Sequence, residues 1–261
     1  MSKPSTVRVG GMFVSKNGLS PISWMVIMLV AAFAAKHYLP SFPLSYFSTY
    51  FHELGHGLMS VFLGGEIVSI EVNYAGDGVC WHRTPEHLRG YVAFAGYAAT
   101  PIFGSIFFLL GLSVSRGHHS KLYWCSVLLI ISMLLVGLVK FHDMDTEIIL
   151  LCMSVVIAVA LYWPAIGHVF MKFIGTYMMI DAFANASWLF SYDTQGDHYS
   201  LEQITGIGMQ VWIYVWFVWS ALMLNFTLLA MYWVSKRQNK AQSKEDDFAL
   251  KLEAYRAQKS L

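Results

Sequence analysis

The chain has 261 residues and a net charge of +1, and its composition is 56% hydrophobic and only 13% charged. It is too apolar for an ordinary soluble domain and too neutral for a nucleic-acid partner, so a lipid bilayer is the expected surrounding. Its three cysteines, Cys80, Cys125 and Cys152, are scattered and odd in number, which implies no disulfide framework.

The opening stretch Met1–Ser20 is polar and glycine-containing and lacks the apolar core of a cleavable signal peptide. Apolar runs follow at Ile22–Leu39, Leu44–Leu63, Tyr91–Val114, Leu122–Val139, Ile148–Trp163, His168–Phe190 and Ile207–Val234. Most are near the length that crosses a hydrocarbon core. Ile148–Trp163 is short and stops at Pro164, which suits a tilted, half-crossing or broken element. Trp24, Tyr38, Trp124, Trp163 and Trp233 sit at run ends, as an interfacial belt requires. The expected fold is an all-α polytopic membrane protein with six to seven transmembrane helices. One membrane-embedded domain, 21–234, lies between a polar segment, 1–20, and a charged tail, 235–261. Lys236, Arg237, Lys240 and Lys244 draw the C-terminus to the cytoplasm, and Lys3, Arg8 and Lys16 draw the N-terminus the same way. An odd span count cannot satisfy both. The tail pattern Phe248, Leu250, Leu252, Tyr255 fits a surface helix and a disordered segment equally.

The second run carries His52-Glu53-Leu54-Gly55-His56. Residues four apart share one helix face, so the two imidazoles can meet a single Zn²⁺, with Glu53 beside it to take a proton from a metal-activated water. Ionisable groups at membrane depth cost about 2.5–3.5 kcal/mol on insertion scales, so they are expected to be functional. The run ends at Gly64-Gly65, a sharp stop for a helix. Beyond it, Ile67, Ser69 and Glu71 alternate with Val68, Ile70 and Val72. A glycine-containing turn, Asn73–Gly78, then leads to Val79-Cys80-Trp81. This reads as a small β-hairpin, Glu66–Trp81, directly after the zinc-binding helix. Its edge can either accept a peptide as an added strand or merely connect two spans.

The third run is rich in small residues, and Ala95, Gly96, Ala99 and Gly104 suit close packing against the zinc-binding helix, with Pro101 as a kink. The fourth and fifth runs are joined by the polar turn Lys140–Asp145. The sixth holds Asp181 and, four residues on, Asn185, on one face. Ser191–Thr205 is a loop with Asp193, Asp197, His198 and Glu202 and no basic residue. Trp212, Trp216 and Trp219 form a stripe on the last run that reads as packing or lipid contact. Zinc needs a third protein ligand and an open position. Asp181 is the choice, because it lies within a hydrophobic run where nothing nearby offers it a salt bridge; Asp197, Asp143 and Asp145 are the rivals.

The stretch His52–His56, Gly64-Gly65, the hairpin and Gly90–Tyr97 resembles the site-2 protease family of intramembrane zinc metalloproteases, in particular its compact bacterial branch without a PDZ domain. The likeness runs from about Phe47 to Trp216 and includes Ile180-Asp181-Ala182 and Gly196-Asp197-His198 as later polar positions. Relatives present the third ligand in a Leu-Asp-Gly type motif, from which Ile180-Asp181-Ala182 departs. The resemblance implies a multi-pass protein of a bacterial cell membrane that cuts a membrane-anchored protein substrate in regulated intramembrane proteolysis. His52, His56 and Asp181 would hold Zn²⁺, and Glu53 would act as the base. Asn185 either binds the developing oxyanion, orients the substrate or makes an interhelical hydrogen bond. The competing readings are a non-proteolytic membrane metal-binding protein or transporter, and a pseudoprotease acting as an adaptor.

Overall fold

The structure, a computed structural model, describes residues 6–9, 12–15, 21–38, 44–114, 121–140, 143–191 and 195–259. Most of Met1–Ser20, together with Phe141, His142 and Asp193, lies outside the described residues. Strands β1 (Thr6–Val9) and β2 (Met12–Ser15) pair antiparallel. Helices α1 (Pro21–Tyr38) and α2 (Leu44–Phe62) lead to strands β3 (Glu66–Val72) and β4 (Gly78–Arg83). Then come α3 (Arg89–Val114), α4 (Lys121–Lys140), α5 (Met144–Tyr162), α6 (Pro164–Trp188), the short α7 (Asp197–Thr205) and α8 (Met209–Lys259).

Each boundary has a local cause. Gly64, at φ +83°, takes the chain out of α2 in the left-handed region, and the Gly65 amide closes the end on the Ser60 carbonyl at 2.9 Å. Asp143 caps α5 by accepting from the Thr146 amide at 2.9 Å. Pro164 starts α6 at a position where a missing amide costs nothing.

Helices α1 to α6 and α8 coincide with the seven apolar runs. Among the described residues, three helical stretches, Glu86–Leu112, Met144–Tyr162 and Met209–Val234, are both long and apolar enough to cross a membrane. The fifth run thus becomes one of the stronger candidates, because its helix begins upstream of Ile148, at the Asp143 cap. Helix α2 misses that standard because its interior carries the His–Glu motif. The tail does not separate from the last run: α8 continues through it as one helix to Lys259.

Helices α3 and α6 cross antiparallel, with Gly104 and Gly175 backbone to backbone: a methyl group on Gly104 would lie 2.7 Å from the Gly175 carbonyl. Gly104 therefore packs against α6 and not, as expected, against α2. Ala95, Gly96 and Ala99 do meet α2, where Gly55 leaves no room for a side chain beneath Ala99. On its other side α2 inserts Tyr50 into α4. The Tyr50 hydroxyl accepts from the Gly137 amide at 3.0 Å and donates to the Met133 carbonyl at 2.7 Å, two groups that bond to each other in a regular helix. In this way α2 is held from both flanks.

Strands β3 and β4 form an antiparallel two-stranded sheet with Ile70 opposite Cys80 and Val72 opposite Gly78. A bulge between Ile67 and Ser69 changes the alternation expected from sequence. It brings Ile67 into the core together with Ile70 and Val72, against Gly57 of α2. The hairpin is anchored at its turn, where Tyr46 donates to the Tyr74 carbonyl at 3.0 Å and Thr49 to the Gly76 carbonyl at 2.8 Å. Thr146 at the start of α5 anchors it again, accepting from the Val72 amide at 2.7 Å.

Candidate metal centre

Helical periodicity places His52 and His56 on the face of α2 that meets α3. Their Nε2 atoms lie 3.1 Å apart. The His56 Nδ1–H donates to the Val92 carbonyl at 2.7 Å, because a carbonyl can only accept. That bond fixes the tautomer and leaves the His56 Nε2 lone pair free for a metal. The imidazoles rest on Gly96 of α3, where a methyl group would sit 2.6 Å from the His52 Nε2 and overlap the His56 ring. Glycine is needed here for space, not for conformation.

The third member of the group is Asp197, the first residue of α7. Its Oδ2 lies 3.1 Å from the His52 Nε2 and 3.2 Å from the His56 Nε2. Three donor atoms thus form a nearly equilateral triangle. A tetrahedral ion bound at about 2.0–2.1 Å spaces its ligands about 3.3 Å apart, so two imidazoles and a carboxylate at this separation fit a divalent metal such as Zn²⁺. Among the described residues, His52, His56 and Asp197 are the group so arranged. Burial works against the charge on Asp197, but the two imidazoles outweigh it and hold its carboxyl well below the usual carboxylate range.

Glu53 is buried beside this group. Its carboxylate accepts from the Cys80 backbone amide of β4. A methyl group on Gly78, at the start of β4, would lie 2.9 Å from the Glu53 Oε1. The strand therefore meets the carboxylate through the Gly78 backbone and the Cys80 amide. Burial, then the Glu53 charge, pushes the Cys80 thiol up to about 12, so this cysteine stays a protonated core residue.

Asp181 stands elsewhere. It is buried and ion-paired to Lys36 of α1, and it accepts from the Asn185 side-chain amide at 2.8 Å. Asn185 in turn lies 3.5 Å from the Lys36 ammonium. The carboxylate that the structure sets against the two imidazoles is therefore Asp197, and Asp181 is absent from the group. The expectation that Asp181 lacks an ion-pair partner fails, because the partner comes from a different helix. Asn185 is engaged in the same cluster, and Asp143 is occupied as the cap of α5. Gly78, Gly96, Val92 and Tyr97 also shape the centre, and no spacing in the sequence singles them out as site residues. The Tyr97 ring stands edge-on to His52, with centroids 4.4 Å apart.

Helix α7 is positioned by α3 and α8. Its Leu201 is buried in a cluster with Ala98 and Trp216. The tryptophan stripe packs as expected and is also hydrogen-bonded, Trp216 donating to the Phe94 carbonyl at 3.1 Å and Trp219 to the Ala98 carbonyl at 2.9 Å.

Residues 24–227 match the family described as Peptidase M50B-like. Neither the curated proteins nor the solved structures contain a significant match to the chain.

Proposed function

The chain belongs to the M50B-like peptidases, within the site-2 protease family of metallopeptidases, and from that premise we propose that it is an intramembrane zinc metalloprotease that cleaves membrane-anchored proteins within or near their transmembrane segments. The observation that carries the reading is the convergence of His52, His56 and Asp197, with the Glu53 carboxylate buried alongside.

Zn²⁺ held by these three residues would supply Lewis acidity, polarising a carbonyl and lowering the pKa of a water toward about 7. The remaining chemistry belongs to the chain. Glu53 accepts the water proton and later delivers it to the leaving nitrogen. The Cys80 amide keeps its carboxylate oriented. The Val92 carbonyl holds His56 in the metal-binding tautomer. Among the described residues, strand β4 has a neighbour on one side only, β3. A substrate stretch unwound from its helix can add to the free edge through backbone hydrogen bonds, and Gly78, having no side chain, lets that strand lie directly against Glu53. The exposed Val79 and Trp81 side chains offer apolar contact to such a strand. The substrate is thus a protein anchored in the same bilayer, and the cut releases the part outside it, as in regulated intramembrane proteolysis.

Glu53→Gln tests the reading. The variant should keep its zinc and lose cleavage of a membrane-anchored substrate by roughly 10²–10⁴-fold, the contribution of a positioned general base. Cleavage at the wild-type rate would remove Glu53 from the mechanism. Metal flux across vesicles that depends on His52 would instead favour a transporter.

A further inference from the structure

Peptide hydrolysis at this centre needs a hydrogen-bond donor for the carbonyl oxygen as it becomes an oxyanion. Asn185 is one donor that the sequence offers, yet its amide is already bonded to Asp181. Tyr97 is differently placed. Its ring stands edge-on to His52 at 4.4 Å and packs against Trp216 at 4.6 Å, which fixes the direction of the side chain. The contact with His52 seats the phenol beside the metal group. It is half-buried, and among the described residues its hydroxyl makes no hydrogen bond.

We propose that the Tyr97 phenol is a catalytic residue that donates a hydrogen bond to the oxyanion of the tetrahedral intermediate. The proposal rests on the protease reading above and names a part which that reading lacks. In the step concerned, the water oxygen forms a bond to the carbonyl carbon, the C=O π pair moves onto the carbonyl oxygen, and a water proton passes to Glu53. Tyr97 donates to that oxygen and keeps its own proton throughout. On collapse the pair returns to the C=O bond, the C–N bond breaks with its electrons on nitrogen, and the proton on Glu53 goes to that nitrogen. The donor is prepositioned by two aromatic contacts, so little reorganisation accompanies the build-up of charge.

Tyr97→Phe tests this, because the ring that steadies His52 is kept and only the hydroxyl is lost. The full-length protein is assayed in lipid vesicles with a membrane-anchored substrate that the wild type cleaves. The expected result is a fall in kcat of about 10²–10³-fold, the loss seen when one oxyanion donor is removed. KM and bound zinc stay at wild-type values. A phosphinic analogue of the cleaved peptide, which mimics the tetrahedral centre, binds more weakly by the same factor as kcat/KM falls. Unchanged kcat with zinc retained overturns the role of Tyr97 and leaves the protease reading standing. Loss of zinc together with activity also overturns it, since the residue then acts through His52 alone. Should Glu53→Gln cleave like wild type, the protease reading fails and the Tyr97 role with it.

Discussion

Asp197 and Asp181 differ in their partners, and the partners set what each can do. Asp197 faces two imidazoles, and Asp181 faces an ammonium. Removing one carboxylate oxygen from each therefore has different outcomes. Asp197→Asn replaces an anionic ligand with a neutral amide, and zinc affinity should drop by at least roughly 10–100-fold, the loss found even for outer partners of a ligand. Asp181→Asn should leave zinc content at the wild-type level. Metal analysis of both purified variants is the check, and the opposite pattern would return the ligand role to Asp181. The pair His52/His56 is legible from four-residue spacing alone, and so is Glu53. Asp197 is not, because it belongs to a polar loop in sequence and reaches the metal group only through the packing of α7 on α3 and α8. Asp181 misleads for the converse reason: its cation lies 145 positions away in the chain, beyond the reach of any local pattern.

Elements show the same limit. Apolar length and flanking aromatics are enough to place α1 to α6 and α8, because a long apolar run between polar breaks carries its own helix signal. The hairpin is likewise legible from alternation and a glycine-containing turn. Its bulge is not, since Ile67 is pulled inward by Gly57 of α2, a contact made across the turn at Gly64-Gly65. The hairpin depends on α5 through one side chain. Thr146 is fully buried and its hydroxyl serves the Val72 amide at 2.7 Å, while its own amide is held by Asp143. Thr146→Val keeps the volume and strands the Val72 amide, which should cost about 1–3 kcal/mol. Thermal melting of the variant measures this. Zinc content should not change, because no metal-group residue touches Thr146, whereas cleavage should weaken as β4 loses its fixed position against Glu53.

At the scale of the whole molecule, His52–His56–Asp197 and Lys36–Asp181–Asn185 are two separate clusters, one that can hold metal and one that ties α1 to α6. Helix α1 shows a wide apolar outer face, with Val26, Ile27, Val30 and Phe33 exposed. On its inner side Ala32 and Ala35 pack against Tyr177 of α6, and Lys36 reaches Asp181 one turn further along the same helix. Apolar packing is non-directional and sets little register by itself. The ion pair adds a register. Breaking it from one side is costly because the buried Asp181 is left without its cation, and Lys36→Met should destabilise the fold by about 3–5 kcal/mol. Removing both charges should recover most of that loss, since a hydrophobic pair of similar volume is often as stable as a buried ion pair. Lys36→Met/Asp181→Leu is thus expected to melt near the wild-type temperature and to bind zinc normally. If instead the double variant stays as unstable as Lys36→Met, the pair contributes through more than charge compensation, and the Asn185 bond to Asp181 becomes the interaction that positions α6.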